Sequence, residues 1–126
     1  MLHNQIQLAI DKLPELHLYG VGFYQNEKVL TSSEHKELQQ QLLDSTEEFE
    51  KACLWLEKIN KIKTINKQHS SYGLKHLAED EIGYISNGTF IAAAINCGFN
   101  YKVYETSPNV SFNMSEKDIK SLSSAT

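Results

Sequence analysis

The sequence predicts an α+β protein that is mostly helical, and three observations carry that expectation. Apolar residues recur at steps of three and four through 33–65 and again through 70–98, the mark of amphipathic helices. Serines stand ahead of those repeats and glycines behind them, where helix caps belong. After Gly98 the period changes to two. Tyr101, Val103 and Glu105 alternate with polar or aromatic neighbours, Thr106 to Asn109 is turn-forming, and Val110, Phe112 and Met114 alternate again, which predicts a β-hairpin with a four-residue loop.

In chain order, Leu2, Ile6, Leu8, Ala9 and Leu13 give one broad apolar side to a short helix over 2–12, which Pro14 closes. The run LHLYGVGFY, 16–24, reads as a strand, with Gly20 and Gly22 leaving one face nearly bare for close packing. A phosphate loop is the functional alternative for GVG, but the lysine and helix cap of a P-loop do not follow. Residues 25–30 are expected to loop into a cap at Thr31, Ser32 or Ser33. A long central helix is then expected over 33–65, its stripe built from Leu38, Leu42, Phe49, Cys53, Leu56 and Ile59, with a break near Asp44-Ser45-Thr46. Ser70 or Ser71 caps the next helix and Gly83 ends it. Ser86 or Asn87 caps the one after, and Gly98 ends that. Ser115 caps a weak last helix before a frayed tail at 123–126. The expected organisation is a single domain over 1–126: an N-terminal helix and strand (1–30), the long helix (33–65), a two-helix-plus-hairpin unit (70–114) and a terminal helix and tail (115–126).

Composition narrows the function classes. The formal net charge is -4, which argues against a protein that coats nucleic acid over its whole surface. The charge is unevenly placed. Glu34, Glu37, Asp44, Glu47, Glu48, Glu50 and Glu57 make the middle acidic, whereas Lys58, Lys61, Lys63, Lys67 and Lys75 follow with no acid before Glu79. All 12 basic residues are lysines, so the bidentate fork that reads guanine edges is missing and base reading should be weak. No apolar run reaches the ~20 residues of a membrane span. The first residues lack a basic segment ahead of an apolar core, so a cytoplasmic setting is the expectation. Cys53 and Cys97 read as buried free thiols.

The order helix, turn, helix, hairpin over 70–114 resembles the helix-turn-helix with wing of many DNA-binding domains. Two departures stand against it. Ala78 and Gly83 are five apart, and the second helix offers only Asn87, Thr89 and Asn96 to bases, its Ile-Ala-Ala-Ala run being core-like. The candidate nucleic-acid residues are Lys58, Lys61, Lys63, Lys67, Tyr72, Lys75 and Tyr84, the lysines for phosphates and the tyrosines for stacking. Against this stands a solvated basic face paired with the acidic helix of the same chain. His76, Glu79 and Asp80 have a spacing that can hold a metal, with His69 as a further ligand, or can form an ordinary surface pair. Ser70 or Ser71 near His69 or His76 is the nucleophile–base candidate, although caps are the simpler use of those serines.

The stretches SSYGLKHLAE and GYISNGTFIAAAINCGF resemble a signature of short bacterial proteins, some of them plasmid- or prophage-associated, that carry no assigned activity. The likeness spans Trp55 to Asn109. It implies a mobile-element or accessory setting and assigns no catalytic residue, metal or cofactor. The expectation is therefore a non-enzymatic, nucleic-acid-associated accessory or regulatory protein of weak sequence preference. A protein-interaction module, self-associating through the long helix or the Gly20-Gly22 strand, is the competing class, and an enzyme of unrecognised type the third.

Overall fold

The computed structural model describes residues 2–25 and 28–124, and among them it forms six helices and three small antiparallel sheets. Helix α1 (Leu2–Lys12) leads into two short hairpins, β1 (Leu16–His17) with β2 (Gly20–Val21) and β3 (Tyr24–Gln25) with β4 (Lys28–Val29). Helices α2 (Ser32–Asp44) and α3 (Thr46–Leu56) follow, then β5 (Lys61–Asn66), α4 (Ser71–Ile82), α5 (Asn87–Asn96), β6 (Tyr101–Val103), β7 (Val110–Met114) and α6 (Glu116–Ser124). No helix is long and apolar enough to cross a membrane among the described residues. The tail residues 125 and 126, and residues 26 and 27 of the expected loop, lie outside the described set.

Helix α5 is the hub. Every residue from Asn87 to Ile95 is buried, and α1, α3, α4 and β2 pack around it. Its three alanines let those neighbours approach closely. Phe90 reaches Phe112 of β7 and Trp55 of α3, with ring centroids 6.3 and 6.1 Å away. Leu42, Phe49, Leu56, Ile91, Ala94 and Ile95 are buried in the same core, with Cys53, Leu77 and Ile82 half-buried against it. A helix enclosed in this way cannot lie in a DNA groove. The helix, turn, helix, hairpin order is present, but α5 is core and not a recognition helix.

The single strand expected over 16–24 is instead a double reversal. Gly20 and Gly22 take φ of 139° and 116°, which breaks an extended run. Gly20 also lies against Pro108, where a Cβ would come within 2.8 Å of the proline Cβ. The bareness of that face is therefore a close approach between two turns.

The long helix expected over 33–65 is a second correction. It breaks at Ser45, whose Oγ donates to the Leu42 carbonyl (2.6 Å) and meets Thr89 Oγ1 (2.8 Å). It ends at Leu56, and the residues from Lys61 to Asn66 form a strand. Ile62, Thr64 and Ile65 are β-branched, and β7 offers an open edge, so sheet pairing wins over the three-residue repeat. The sheet order is β5-β7-β6, with Tyr101 opposite Phe112 and Val103 opposite Val110. Exposed Lys61 and Lys63 sit on the β5 edge, the usual protection of an edge strand against stray pairing. The β6–β7 loop is longer than expected, because β6 ends at Val103.

The caps at Ser70, Ser86 and Ser115 form as expected, accepting from the N–H groups of Gly73, Thr89 and Asp118. At α2 the cap is Thr31. Glu34 Oε1 accepts from the Thr31 N–H (2.8 Å) while Thr31 Oγ1 accepts from the Glu34 N–H (3.1 Å), a capping box that a cap at Ser33 would have missed.

Candidate functional site

The seven candidate residues have different surroundings. Lys58 is ion-paired with Glu81 of α4. Lys61 lies over the Phe99 ring, its Nζ 4.7 Å from the centroid. Lys63 is exposed within β5 and Lys67 is exposed just beyond its end. Tyr72, Lys75 and Tyr84, in contrast, come together. Lys75 projects from α4 with only 6% of its surface exposed. Its Nζ lies 5.4 Å from the Tyr72 ring centroid and 5.0 Å from that of Tyr84. The two rings are 52% and 69% exposed, so each shields the ammonium on one side and offers its other surface to solvent.

Glu79, one turn on, anchors the arrangement. Its Oε2 accepts from Lys75 Nζ (2.9 Å) and from the Ile85 N–H (3.2 Å), and its Oε1 bonds His76 Nδ1 (2.9 Å). Burial opposes the Glu79 charge as the largest single influence. The Lys75 and Ile85 hydrogen bonds and the charges of Lys75 and His76 together outweigh it and hold the carboxyl below its ordinary value. Tyr72 packs edge-on against His76 at 4.4 Å. The residues Lys75, His76 and Glu79 therefore form a fixed cluster rather than three free side chains.

These side chains line a cleft of about 630 Å³ whose other walls are Tyr19 from the β1–β2 turn, Gln25, Asn87, Pro108 and Asn109. Asn87 is 5% exposed. Its Nδ2 donates to Asn109 Oδ1 (2.9 Å) and toward the Tyr19 and Pro108 carbonyls (3.3 and 3.4 Å). Three acceptors around one end set the orientation of the amide. Oδ1 then has no donor, although a buried acceptor left unpaired costs about 1–3 kcal/mol. The cleft thus combines two exposed aromatic surfaces and a shielded ammonium, while the unpaired Asn87 oxygen is itself shut off from solvent.

The other constellations do not assemble. Among the described residues no group of three or more His, Cys, Asp or Glu is placed to hold a metal. His69 turns instead to Glu116, at 2.9 Å from Oε1. Ser70 is the α4 cap, and Ser71, fully buried, accepts from the Val110 N–H (3.1 Å), so neither serine meets a histidine. Tyr19, Asn87 and Asn109 were not legible as one site. They come from three distant segments, and their only local signals are turn and cap residues with other duties. No family model matches the chain, and no curated protein or solved structure matches it.

Proposed function

We propose that the protein is a non-enzymatic binder of single-stranded nucleic acid, serving an accessory or regulatory role, that takes an unpaired base into the Tyr72–Lys75–Tyr84 cleft. One observation carries this reading: two exposed tyrosine rings flank a shielded ammonium in a single cleft. A nucleobase offers a π-face to either ring, and its neighbouring phosphate complements Lys75. A base inside a duplex has neither face free, so single strands are favoured.

The charge arrangement tempers the electrostatic part. Glu79 already neutralises much of Lys75, and Lys58 is engaged by Glu81. Stacking therefore supplies most of the affinity, and the salt dependence is shallow, with a log–log slope near -0.7 for each phosphate contacted on a single strand. Lys63 and Lys67 add long-range attraction. With no arginine in the chain, the preference among base sequences is weak.

The test is a fluorescence-anisotropy titration of single- and double-stranded oligonucleotides at two salt concentrations. Tyr72→Ala and Tyr84→Ala should each weaken single-strand binding by about 1–3 kcal/mol, roughly 5- to 150-fold, without loss of the thermal transition. Absence of binding by the wild type at low salt, or equal binding by the double tyrosine variant, overturns the reading. A self-associating interaction module would then lead. It is favoured by Leu8 and Leu54, both exposed on α1 and α3, two helices that pack on each other.

A further inference from the structure

We infer that Cys97 is a peroxide-reactive thiol and Cys53 its resolving partner, the two closing to a disulfide that ties α3 to the C-terminal end of α5. The two thiols are free as expected, but they are not fully enclosed in the core. Both are half-buried and unbridged. Cys97 Sγ lies 3.9 Å from the Cys53 carbonyl oxygen, and the Cys53 Sγ accepts from Asn96 Nδ2, the residue before Cys97, at 3.7 Å. These two contacts place both sulfurs in one small region between α3 and the end of α5.

Cys97 also lines a second cleft, of about 490 Å³, that gives a small oxidant access to it. Lys61 lies on the same wall. Its side chain crosses Gly98, with Cε 3.3 Å from where a Cβ on that glycine would be. Cys97 is the C-cap of α5 and Gly98 follows at φ 89°, so the thiol sits at a helix end rather than inside a rigid turn. A half-buried cysteine that reaches a cleft beside a lysine, with a second thiol close by, is the arrangement of a redox-responsive pair.

Electrostatics separates the roles. The neighbouring Cys53 side chain favours the Cys97 thiolate most, and the Lys61 charge adds to it. Burial and Glu57 oppose, and the net direction is down. Cys53 is pushed up by its contact with Cys97, by burial and by Glu50, against Asn96, and stays protonated. Cys97, which lines the open cleft beside Lys61 where Cys53 does not, is therefore the attacking sulfur. Its thiolate takes an oxygen from hydrogen peroxide: the S–O bond forms, the O–O bond breaks, and the departing hydroxide takes up the thiol proton as water. Cys53 then attacks the Cys97 sulfenic acid. The S–S bond forms, the S–O bond breaks, and the hydroxyl leaves with the Cys53 proton as a second water. Two thiols and one peroxide give one disulfide and two waters.

The experiment exposes the full chain to one equivalent of hydrogen peroxide and follows thiol content, intact mass under non-reducing conditions and dimedone labelling. The wild type should lose both thiols together, remain a monomer by mass, lose two hydrogens and regain its thiols with reductant. Cys53→Ser should accumulate a dimedone-reactive Cys97, whereas Cys97→Ser should oxidise no faster than a free cysteine. A pH profile of wild-type alkylation by iodoacetamide, mapped to each cysteine, gives a readout without substitution, and Cys97 should react first with a midpoint below that of free cysteine. Equal reactivity of the two thiols, oxidation of Cys53 in Cys97→Ser, or a disulfide that forms only between chains overturns the proposal.

Discussion

Gly88 is where the fold and the cleft depend on the same missing atom. It is the second residue of α5, and its N–H donates to the Leu18 carbonyl at 2.9 Å. A Cβ there would overlap the His17 carbonyl oxygen and sit 2.7 Å from the Leu18 carbonyl oxygen. Both are backbone atoms and cannot swing aside. Gly88→Ala should therefore overpack the hairpin by about 1–3 kcal/mol. It should also strain a hydrogen bond with a net worth of about 0.5–1.5 kcal/mol. Alanine returns about 1 kcal/mol of helix propensity. The expected net loss is roughly 0.5–3.5 kcal/mol, or about 3–5 °C of melting temperature for each kcal/mol at this chain length. Gly73 supplies the contrast. It lies in the first turn of α4, and a Cβ there meets nothing nearer than Ser70 Oγ at 3.8 Å. Gly73→Ala should stabilise by up to about 1 kcal/mol. Thermal and urea melts of both variants check the argument. Because Asn87 and Tyr19 flank the displaced contact, Gly88→Ala should also weaken oligonucleotide binding. A Gly88→Ala protein that melts at or above the wild type refutes the reasoning.

Two further outcomes follow from buried polar groups. Ser71→Ala leaves the Val110 N–H without its acceptor inside the core, so it should cost about 1–3 kcal/mol in a urea melt and speed hydrogen exchange at the Val110 amide. His17 is lowered to about 4, chiefly by burial, then by the charge of His35, against the Tyr24 carbonyl. Its Nε2 has no hydrogen-bond partner, so that carbonyl offsets little. Between pH 6.5 and about 4 the unfolded chain binds the proton and the folded chain does not, so stability rises with pH across that window and falls on acidification. The shift corresponds to a loss on the order of 3 kcal/mol by pH 4. An NMR titration should place His17 well below the ordinary histidine value, and His17→Asn should flatten the stability profile across the window.

The sequence by itself determined the ends of the C-terminal elements, because a cap is a bond between residues three or four apart. Ser70, Ser86 and Ser115 cap where their spacing says, and Gly83 and Gly98 follow at φ of 85° and 89°. The burial of Phe49, Leu56, Phe90 and Ile91 was equally legible, since helical periodicity sorts a chain into faces before any partner is known. Whether 61–66 is helix or strand was decided elsewhere in the chain. Its preferences are nearly balanced, and the open edge of β7, bonded through Asn66 Nδ2 to the Met114 carbonyl 48 residues away, tips them. Tertiary structure alone also decided the two paired sites. Lys75 and Tyr84 meet because Gly83 turns the chain back over α4, Asn87 meets Tyr19 because Gly88 admits the hairpin, and Cys53 meets Cys97 because α3 packs along α5. No local pattern encodes such meetings, because each joins a side chain to a residue on another segment, and only packing brings those segments together.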